Sequence, residues 1–362
     1  MKRVCFFVGD ITGTGGTNRV ATVIASGLVE RGLDVSILSV VNGQGAEFPL
    51  NPGVKLESLG MEGRSANFSD IAIWRALRRY VVENGVQILV DVDTMLSWYS
   101  IPATRGLPVK VVSWEHFHYG INVGDVGQRL RRKWGRRLAV RRAHAVVTLT
   151  ERDRSQYCRH MICKRPVVAI PNPITIHPDR HASHEHRVVV AAGRMVSQKG
   201  FDLLLQAWAL VAPDAHGWTL RIVGNGPMEA ALRAQARLLS IDRTVVFAGK
   251  RSDMVAEFAS SSIYVMSSRF EGLPLVLIEA KSCGLPIVSF DCACGPSDIV
   301  RNGLDGDLVA PGDVPGLAKA LLKLIEEPAR RLRYSVESLR DDRFLLGPVM
   351  DRWISLLDED RN

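Results

Sequence analysis

No stretch of the 362-residue sequence approaches the roughly 18 apolar residues that a membrane-spanning helix needs; the longest runs, such as VVVAA at 188–192, are strand-sized. The opening MKRVCFFVGD sets two basic residues before an apolar run too short for a secretory signal, and no A-x-A site follows. It reads as a first strand, and the expectation is a cytoplasmic protein. Cysteine is sparse: Cys5, Cys158, Cys163, Cys283, Cys292 and Cys294 form no CxxC pair, and Cys292 and Cys294 lack a second pair to complete a zinc site. Small core residues are the simpler reading. A Walker GxxxxGK[ST] sequence is missing, which argues against a P-loop NTPase. The dinucleotide pattern GxGxxG fails at its sixth position, where Asn18 stands, so a nicotinamide enzyme is weakly supported. No basic strand interleaved with aromatics occurs, and nucleic acid is not an expected partner.

What remains is ordinary in bulk and uneven in charge. Apolar residues make up 46% and charged residues 23%, as in soluble globular proteins, and the length favours two domains over one. Residues 1–170 hold 24 Lys and Arg against 14 Asp and Glu, a net +10, whereas residues 171–362 hold 22 against 24. The excess in one half points that half toward an anionic partner.

Strand and helix signals alternate along almost the whole chain. VCFFV (4–8) is followed by Val20, Val23, Ile24, Gly27 and Leu28 at helical spacing. DVSILSV (34–40), VQILVDV (86–92), VKVVSWE (109–115), AVVTLT (145–150) and PVVAI (166–170) continue the series, several of them apolar on both faces as buried parallel strands are. PNPITIHPDRHASHEHR (171–187), with three prolines, four histidines and no periodicity, reads as a linker. A second series then runs through RVVVAAG (187–193), TLRIVG (219–224), TVVFAG (244–249), SIYVMSS (262–268) and PIVSF (286–290). Two such series imply two doubly wound parallel-sheet domains with a cleft between them. We place the domains at 1–170 and 188–342, the linker at 171–187, and a C-terminal helix at 343–362 that packs back on the first domain.

Ligands bind beyond the carboxyl ends of parallel strands, so the residues there are the candidates. After strand one come Gly13, Gly15 and Gly16, a turn that either admits a phosphate to backbone N–H groups or is simply tight. Asp91 and Asp93 follow VQILV and could hold a metal, a minority reading. His116 ends a strand beside Trp114, Phe117 and Tyr119, either touching a substrate hydroxyl or satisfied within the core. Arg194 and Lys199, five apart after a buried strand, can converge on a diphosphate. Gly249 and Lys250 follow TVVFAG. The segment QRLRRKWGRRLAVRR (128–142) holds eight basic residues, and its Leu130, Trp134 and Leu138 form a stripe that packs inward or dips into an interface. Its Arg129, Arg131, Arg132, Lys133, Arg136 and Arg137 form a candidate patch for an anionic membrane surface or acceptor.

GRMVSQKGFDLLLQAW, IVGNGPMEAAL, VVFAGKRSDM, SSRFEGLPLVLIEAKSCGLPIVSFDCACGPSDIV and NGLDGDLV resemble the C-terminal domain of retaining glycosyltransferases of family 4; GGTNRVA and SWEHFHY resemble its N-terminal domain. The E-x7-E spacing of Glu271 and Glu279 is the most specific element. The nearest likeness is to bacterial enzymes of exopolysaccharide, capsule and O-antigen assembly, of the amylovoran galactosyltransferase kind. Two departures stand out: Gly-Gly-Thr-Asn-Arg where Gly-Gly-x-Glu-Arg is usual, and Asp298 where Glu is frequent.

The resemblance implies a GT-B fold, two Rossmann-like domains facing across a cleft, with acceptor on the first and nucleotide sugar on the second. It implies that Arg194 and Lys199 neutralise the donor diphosphate, that Gly15 or Gly16 approaches it, and that Gly249 and Lys250 border the base. Glu279 would accept from ribose hydroxyls, Glu271 would face the transferred sugar, and His116 would touch one of its hydroxyls. Gly272, Leu273, Pro274 and Leu275 would bring a helix N-terminus to the phosphates. Glycosyl transfer develops negative charge on the departing diphosphate, which these cations and N–H groups can stabilise without a metal. The expected activity is retaining transfer from a nucleotide-diphosphate sugar, UDP favoured, to a lipid-linked or polysaccharide acceptor. No cofactor, metal or nucleic acid is expected, and the expected location is the cytoplasm, with peripheral attachment to the inner face of the plasma membrane as a further expectation. A nucleotide-sugar 2-epimerase and a non-catalytic sugar-nucleotide-binding subunit are the alternatives; the basic first half disfavours the former and the intact charged set the latter.

Overall fold

The computed structural model describes residues 2–41, 45–61, 71–121 and 124–359. Every strand pairing in it is parallel. The first sheet is built from β1 (Arg3–Val8), β2 (Asp34–Ser39), β3 (Lys55–Ser58), β4 (Ile88–Val92), β5 (Lys110–Trp114), β6 (Ala145–Thr148) and β7 (Val167–Ala169), in the order β3-β2-β1-β4-β5-β6-β7. The second is built from β8 (Val188–Ala192), β9 (Thr219–Val223), β10 (Val245–Gly249), β11 (Ile263–Met266), β12 (Ile287–Phe290) and β13 (Gly306–Val309), in the order β10-β9-β8-β11-β12-β13. Both sheets wind outward in two directions from their first strand, as doubly wound sheets do. Central strands such as FFV and VVAA are buried on both faces because helices cover both sides.

The chain forms two compact units, Met1–Thr175 with Leu345–Asn362, and Ile176–Phe344. Residues 171–187 carry no helix or strand. One strand has no counterpart in the sequence reading: KLES at 55–58 has no apolar run, and it forms β3, an edge strand half in solvent. Other strands are shorter than their apolar segments by a residue or two; VKVVSWE, for example, pairs only over Lys110–Trp114.

In the first unit the helix Gly16–Glu30 packs Val20, Ile24 and Leu28 onto the sheet. Its Gly27 faces the C-terminal helix Leu346–Asp358, and a Cβ there would lie 2.9 Å from Met350 Sδ. That close approach seats Trp353, fully buried, 4.8 Å from the Trp114 ring and 6.5 Å from Phe6. The rim pairs Lys2–Asp358 and Arg31–Asp351 are exposed and add little. In the second unit Leu204, Leu205, Trp208, Ile222, Val265, Phe290 and Leu321 share one core. Lys281, 3% exposed, is held there by Asp305 at 2.9 Å, Asp341 at 2.6 Å and the Ile299 carbonyl at 2.9 Å.

Truncating Trp353 removes an aromatic anchor from a site that cannot collapse without moving two other rings. Trp353→Ala should destabilise the first unit by about 3–5 kcal/mol. Urea unfolding read by tryptophan fluorescence checks this; an unchanged midpoint would mean that the C-terminal helix contributes nothing to the unit.

Candidate active site

Strand order in the second unit reverses between β8 and β11, and the loops that follow these two strands lie next to each other there. Lys199 comes from the first loop and Glu271 from the second. Lys199 Nζ donates to Glu271 Oε1 at 2.7 Å, with the pair largely shielded from solvent. The backbone around them is tied as firmly. Gly200 is left-handed (φ 63°), and a Cβ on it would stand 2.1 Å from the Ser267 carbonyl, so only glycine lets the loops touch. Ser267 Oγ donates to the Lys199 carbonyl (3.0 Å), the Arg269 N–H to the Gln198 carbonyl (2.8 Å), and Gln198 Nε2 to the Phe270 carbonyl (3.0 Å). Arg269 forks onto both oxygens of Asp202 at 2.8 and 2.6 Å. The structure thus brings Lys199 and Glu271 together.

Gly272, Leu273 and Pro274 lead from Glu271 into the helix Leu275–Ser282. Pro274 is its cap rather than its first helical residue, with extended ψ of 99°. Glu279 lies in the second turn, 4% exposed. Arg194 is exposed, and its guanidinium has no hydrogen-bond or ion-pair partner among the described residues. Lys250 is likewise exposed beyond Gly249, whose carbonyl accepts from the Gly224 N–H at 2.8 Å. Gly224 in turn packs on the Gly193 carbonyl, where a Cβ would come within 2.0 Å. The loops after β8, β9 and β10 are therefore one hydrogen-bonded edge.

In the first unit the reversal falls between β1 and β4. Gly15 caps the helix Gly16–Glu30, and both glycines are exposed. Asn18 Nδ2 donates to the carbonyls of Asp10 and Gly13, folding the loop beneath them. Asp91 and Asp93 go separate ways. Asp91 is fully buried and accepts from Ser97 at 2.7 Å and Ser100 at 2.6 Å; burial pushes its carboxyl up to about 7 against those hydroxyls. Asp93, at φ 105°, caps the turn Thr94–Leu96 and pairs with Arg132 at 3.1 Å. The two serines share Asp91 Oδ2, and Asp91 Oδ1 has no hydrogen-bond partner among the described residues. His116 is 8% exposed, its ring 4.4 Å from Trp114, and its Nε2 has no hydrogen-bond partner among the described residues. Burial pushes its imidazole down to about 4, so it is neutral at physiological pH.

The basic patch needs correcting. Arg132 and Arg136 are buried, each 4% exposed, and are not part of an exposed cationic surface. The helix Val126–Arg142 turns Arg132, Gly135, Arg136, Ala139 and Val140 inward, and a Cβ on Gly135 would meet the Thr94 carbonyl at 2.3 Å. Desolvating two guanidiniums is tolerable because Asp93 and Glu115 meet them. Leu130 and Trp134 point outward, not into the core. Arg129, Lys133 and Arg137 do face solvent, and Arg131 does so in part. Arg129, Lys133 and Arg137, with Val126, Leu130, Arg141 and Ile162, line a groove of about 710 Å³, and Arg136 reaches its floor. The signal for the inward face was present in the sequence: small residues at 135 and 139, four apart on a helix, mark a close approach. Glu115, Tyr157, Gln198 and the Arg269–Asp202 pair carry no such mark.

The chain matches two family descriptions, glycosyl transferases group 1 over residues 186–327 and glycosyl transferase 4-like domain over residues 15–173. It is 32% identical to an uncharacterized glycosyltransferase of Haemophilus influenzae over 99% of this chain and 100% of that one. It is 26% identical to the amylovoran biosynthesis glycosyltransferase AmsD of Erwinia amylovora, over 85% and 86% of the two chains. In fold it is similar to Anabaena Alr3699/HepE, solved in complex with UDP, with a TM-score of 0.80, 17% identity and 99% of each chain covered. The fold is thus GT-B, as the two sheets already indicate.

The folded state keeps the Asp91 proton up to about pH 7, whereas the unfolded chain releases it near 3.8. Its contribution is therefore intact below pH 4 and is lost as pH rises toward 7. Asp91→Asn keeps an oxygen for both serines and should stabilise the protein by an increment that grows from pH 4 to 7, to at most about 4 kcal/mol, then levels off. Thermal melts across pH check this; a variant less stable than its parent at pH 8 would show that Asp91 is needed ionised.

Proposed function

The chain belongs to the group 1 glycosyltransferases, and from that premise we propose a retaining, metal-independent enzyme of cell-surface polysaccharide assembly. It moves a sugar from a nucleotide-diphosphate sugar, UDP favoured, to a lipid-linked or glycan acceptor. The observation that carries this reading is the Lys199–Glu271 pair at the strand-order reversal of the second unit, set in a backbone that glycine alone permits. UDP in the solved complex of HepE and the amylovoran role of AmsD support the choice of donor and pathway class.

The chemistry follows from charge. As the sugar departs, the diphosphate gains negative charge, and Lys199 and the uncommitted Arg194 stand ready to take it. Lys199 is paired with Glu271 at 2.7 Å when no donor is bound, so a diphosphate competes for a cation already partly shielded and aimed. The N-terminal N–H groups of the helix Leu275–Ser282 add to that field. Glu279, carried by the helix Leu275–Ser282, accepts from the ribose hydroxyls. Glu271 orients the sugar and stabilises positive charge at the anomeric carbon. The acceptor attacks from the face the diphosphate leaves, and the leaving phosphate takes its proton, which retains configuration. His116 offers a neutral imidazole to a sugar hydroxyl.

The first unit supplies acceptor and membrane contact. Among the described residues no helix is long and apolar enough to cross a membrane. Arg129, Lys133, Arg137 and Arg141, set among Val126, Leu130 and Ile162, suit a peripheral contact with anionic lipid on the cytoplasmic face.

A panel of UDP-, GDP- and ADP-sugars tests the donor by calorimetry and nucleotide release; binding of none would sink the reading. Lys199→Ala should lower kcat by about 10²–10³ while the melting temperature stays near that of the parent. EDTA should leave turnover unchanged, and loss of activity restored by a divalent ion would refute metal independence. Vesicles with acidic phospholipid should retain the protein at low salt and release it at high salt. Arg129→Glu with Lys133→Glu should abolish retention; equal retention by neutral vesicles would exclude the basic helix as the cause.

A further inference from the structure

His116 has little of its own to hold it. Its ring leans on Trp114, and the strand that carries it, β5, ends two residues earlier. The turn that follows is fixed from outside, at its far end by Asp153, which accepts from the Tyr119 N–H at 2.8 Å, and along its length by Arg136. Arg136 Nε donates to Glu115 Oε2 at 2.6 Å, Nη1 to the Tyr119 carbonyl at 2.8 Å, and Nη2 to the His118 carbonyl at 3.2 Å. Glu115 Oε1 accepts from the Phe117 N–H at 3.0 Å, and its Oε2 accepts also from Tyr157 at 2.5 Å and Thr94 at 2.9 Å. One turn earlier on the same helix, Arg132 lies over the Phe117 ring at 4.3 Å and reaches Asp93. The residue before His116 and the three after it are thus bound to one guanidinium and its carboxylate.

We propose that Arg136 is a positioning residue for His116, acting through Glu115 and the carbonyls of the following turn. This rests on the reading that His116 touches a sugar hydroxyl. Two features favour positioning over bulk stabilisation. A buried ion pair adds little net stability against an apolar core, but a fully hydrogen-bonded one fixes geometry. The fork also spends its donors on the backbone carbonyls of the turn, whose other ties, among them the Tyr119 N–H to Asp153 at 2.8 Å and the Tyr119 ring against Tyr157, lie at its far end and leave the Phe117 N–H to the Arg136–Glu115 pair. Burial raises the Glu115 carboxyl, but Arg136 and Tyr157 more than offset that and hold it near 2. The pair therefore stays charged across the working pH range. Lysine in place of Arg136 keeps the charge and loses the fork.

The test is a double-mutant cycle on the full chain, with nucleotide release from whichever UDP-sugar the panel identifies as the readout. Arg136→Lys should lower kcat about tenfold with the donor KM within twofold, and His116→Ala should lower it at least as much. The double variant should be no slower than His116→Ala within twofold. Tyr157→Phe, which removes one donor to Glu115 and leaves Arg136, should show a smaller loss with the same non-additivity. It keeps the test open should Arg136→Lys fail to fold. If the double variant falls by the product of the single effects, or if Arg136→Lys is fully active while His116→Ala is not, the inference is overturned and the role of His116 survives. If His116→Ala is fully active, the role of His116 itself is wrong. Histidine-selective NMR gives a reading independent of turnover: the His116 resonance should titrate far below the ordinary imidazole range in the parent and move upward in Arg136→Lys at unchanged melting temperature.

Discussion

A parallel strand can reach its neighbour only by a right-handed crossover, and a sheet that starts at its middle must therefore wind away in two directions. Everything that gives this protein a site follows from that constraint. Where winding reverses, the loops after β8 and β11 lie side by side at the sheet edge and are tied together through Gly200 and Ser267. A cation from one loop and a carboxylate from the other then meet at 2.7 Å without any helix between them. The glycines are consequences of the same geometry. Gly200, Gly224 and Gly226 stand where loops touch backbone to backbone, and a Cβ on any of them would come within 2.5 Å of a carbonyl oxygen.

Buried cations serve different ends in the two units. Lys281, two residues after Glu279, is surrounded by Asp305, Asp341 and a carbonyl, all of its donors used within the second unit. It locks the helix that carries Glu279 to the chain segment before the last helix. Lys199 has one carboxylate and remains within reach of solvent, 19% exposed. The first arrangement has no capacity for a ligand and the second has. The distinction rests on how many acceptors surround the ammonium, which is set by folding and not by the residue type.

That distinction also explains how far the sequence could be read. Alternating apolar runs fixed both sheets, because strands covered on two faces must be apolar on both. Lys199 was legible because it follows a buried apolar strand, and Glu271 and Glu279 because the seven residues between them, GLPLVLI, are apolar or glycine. The strand KLES was not, since an edge strand needs no apolar face. Arg132 and Arg136 were not, since a run of eight basic residues reads alike whether a given side chain points in or out. Their partners, Asp93 and Glu115, are 39 and 21 residues away in the chain and come to them only through the order of β4 and β5 in the sheet. The nearest clue was Gly135, which makes sense only on a face that touches something.

Turning two arginines inward does not weaken the argument from net charge. Asp93 and Glu115 go in with them, so two cations and two anions leave the surface together and the first half keeps its excess of +10. What changes is the distribution. The cations left on the helix Val126–Arg142 lie on its outer face and ends, beside Leu130 and Trp134, with few acids near them. Arg137 lies over the Trp134 ring at 5.0 Å, which keeps an aromatic and a cation on the same exposed strip. Burial of the inner pair thus sharpens the polarity of the helix: one face is neutral, packed and committed to the turn at His116, and the other is basic, apolar in patches and open. A single helix could not present both if its arginines were interchangeable along its length, and the i, i+4 spacing of Arg132 and Arg136 is what separates the two roles.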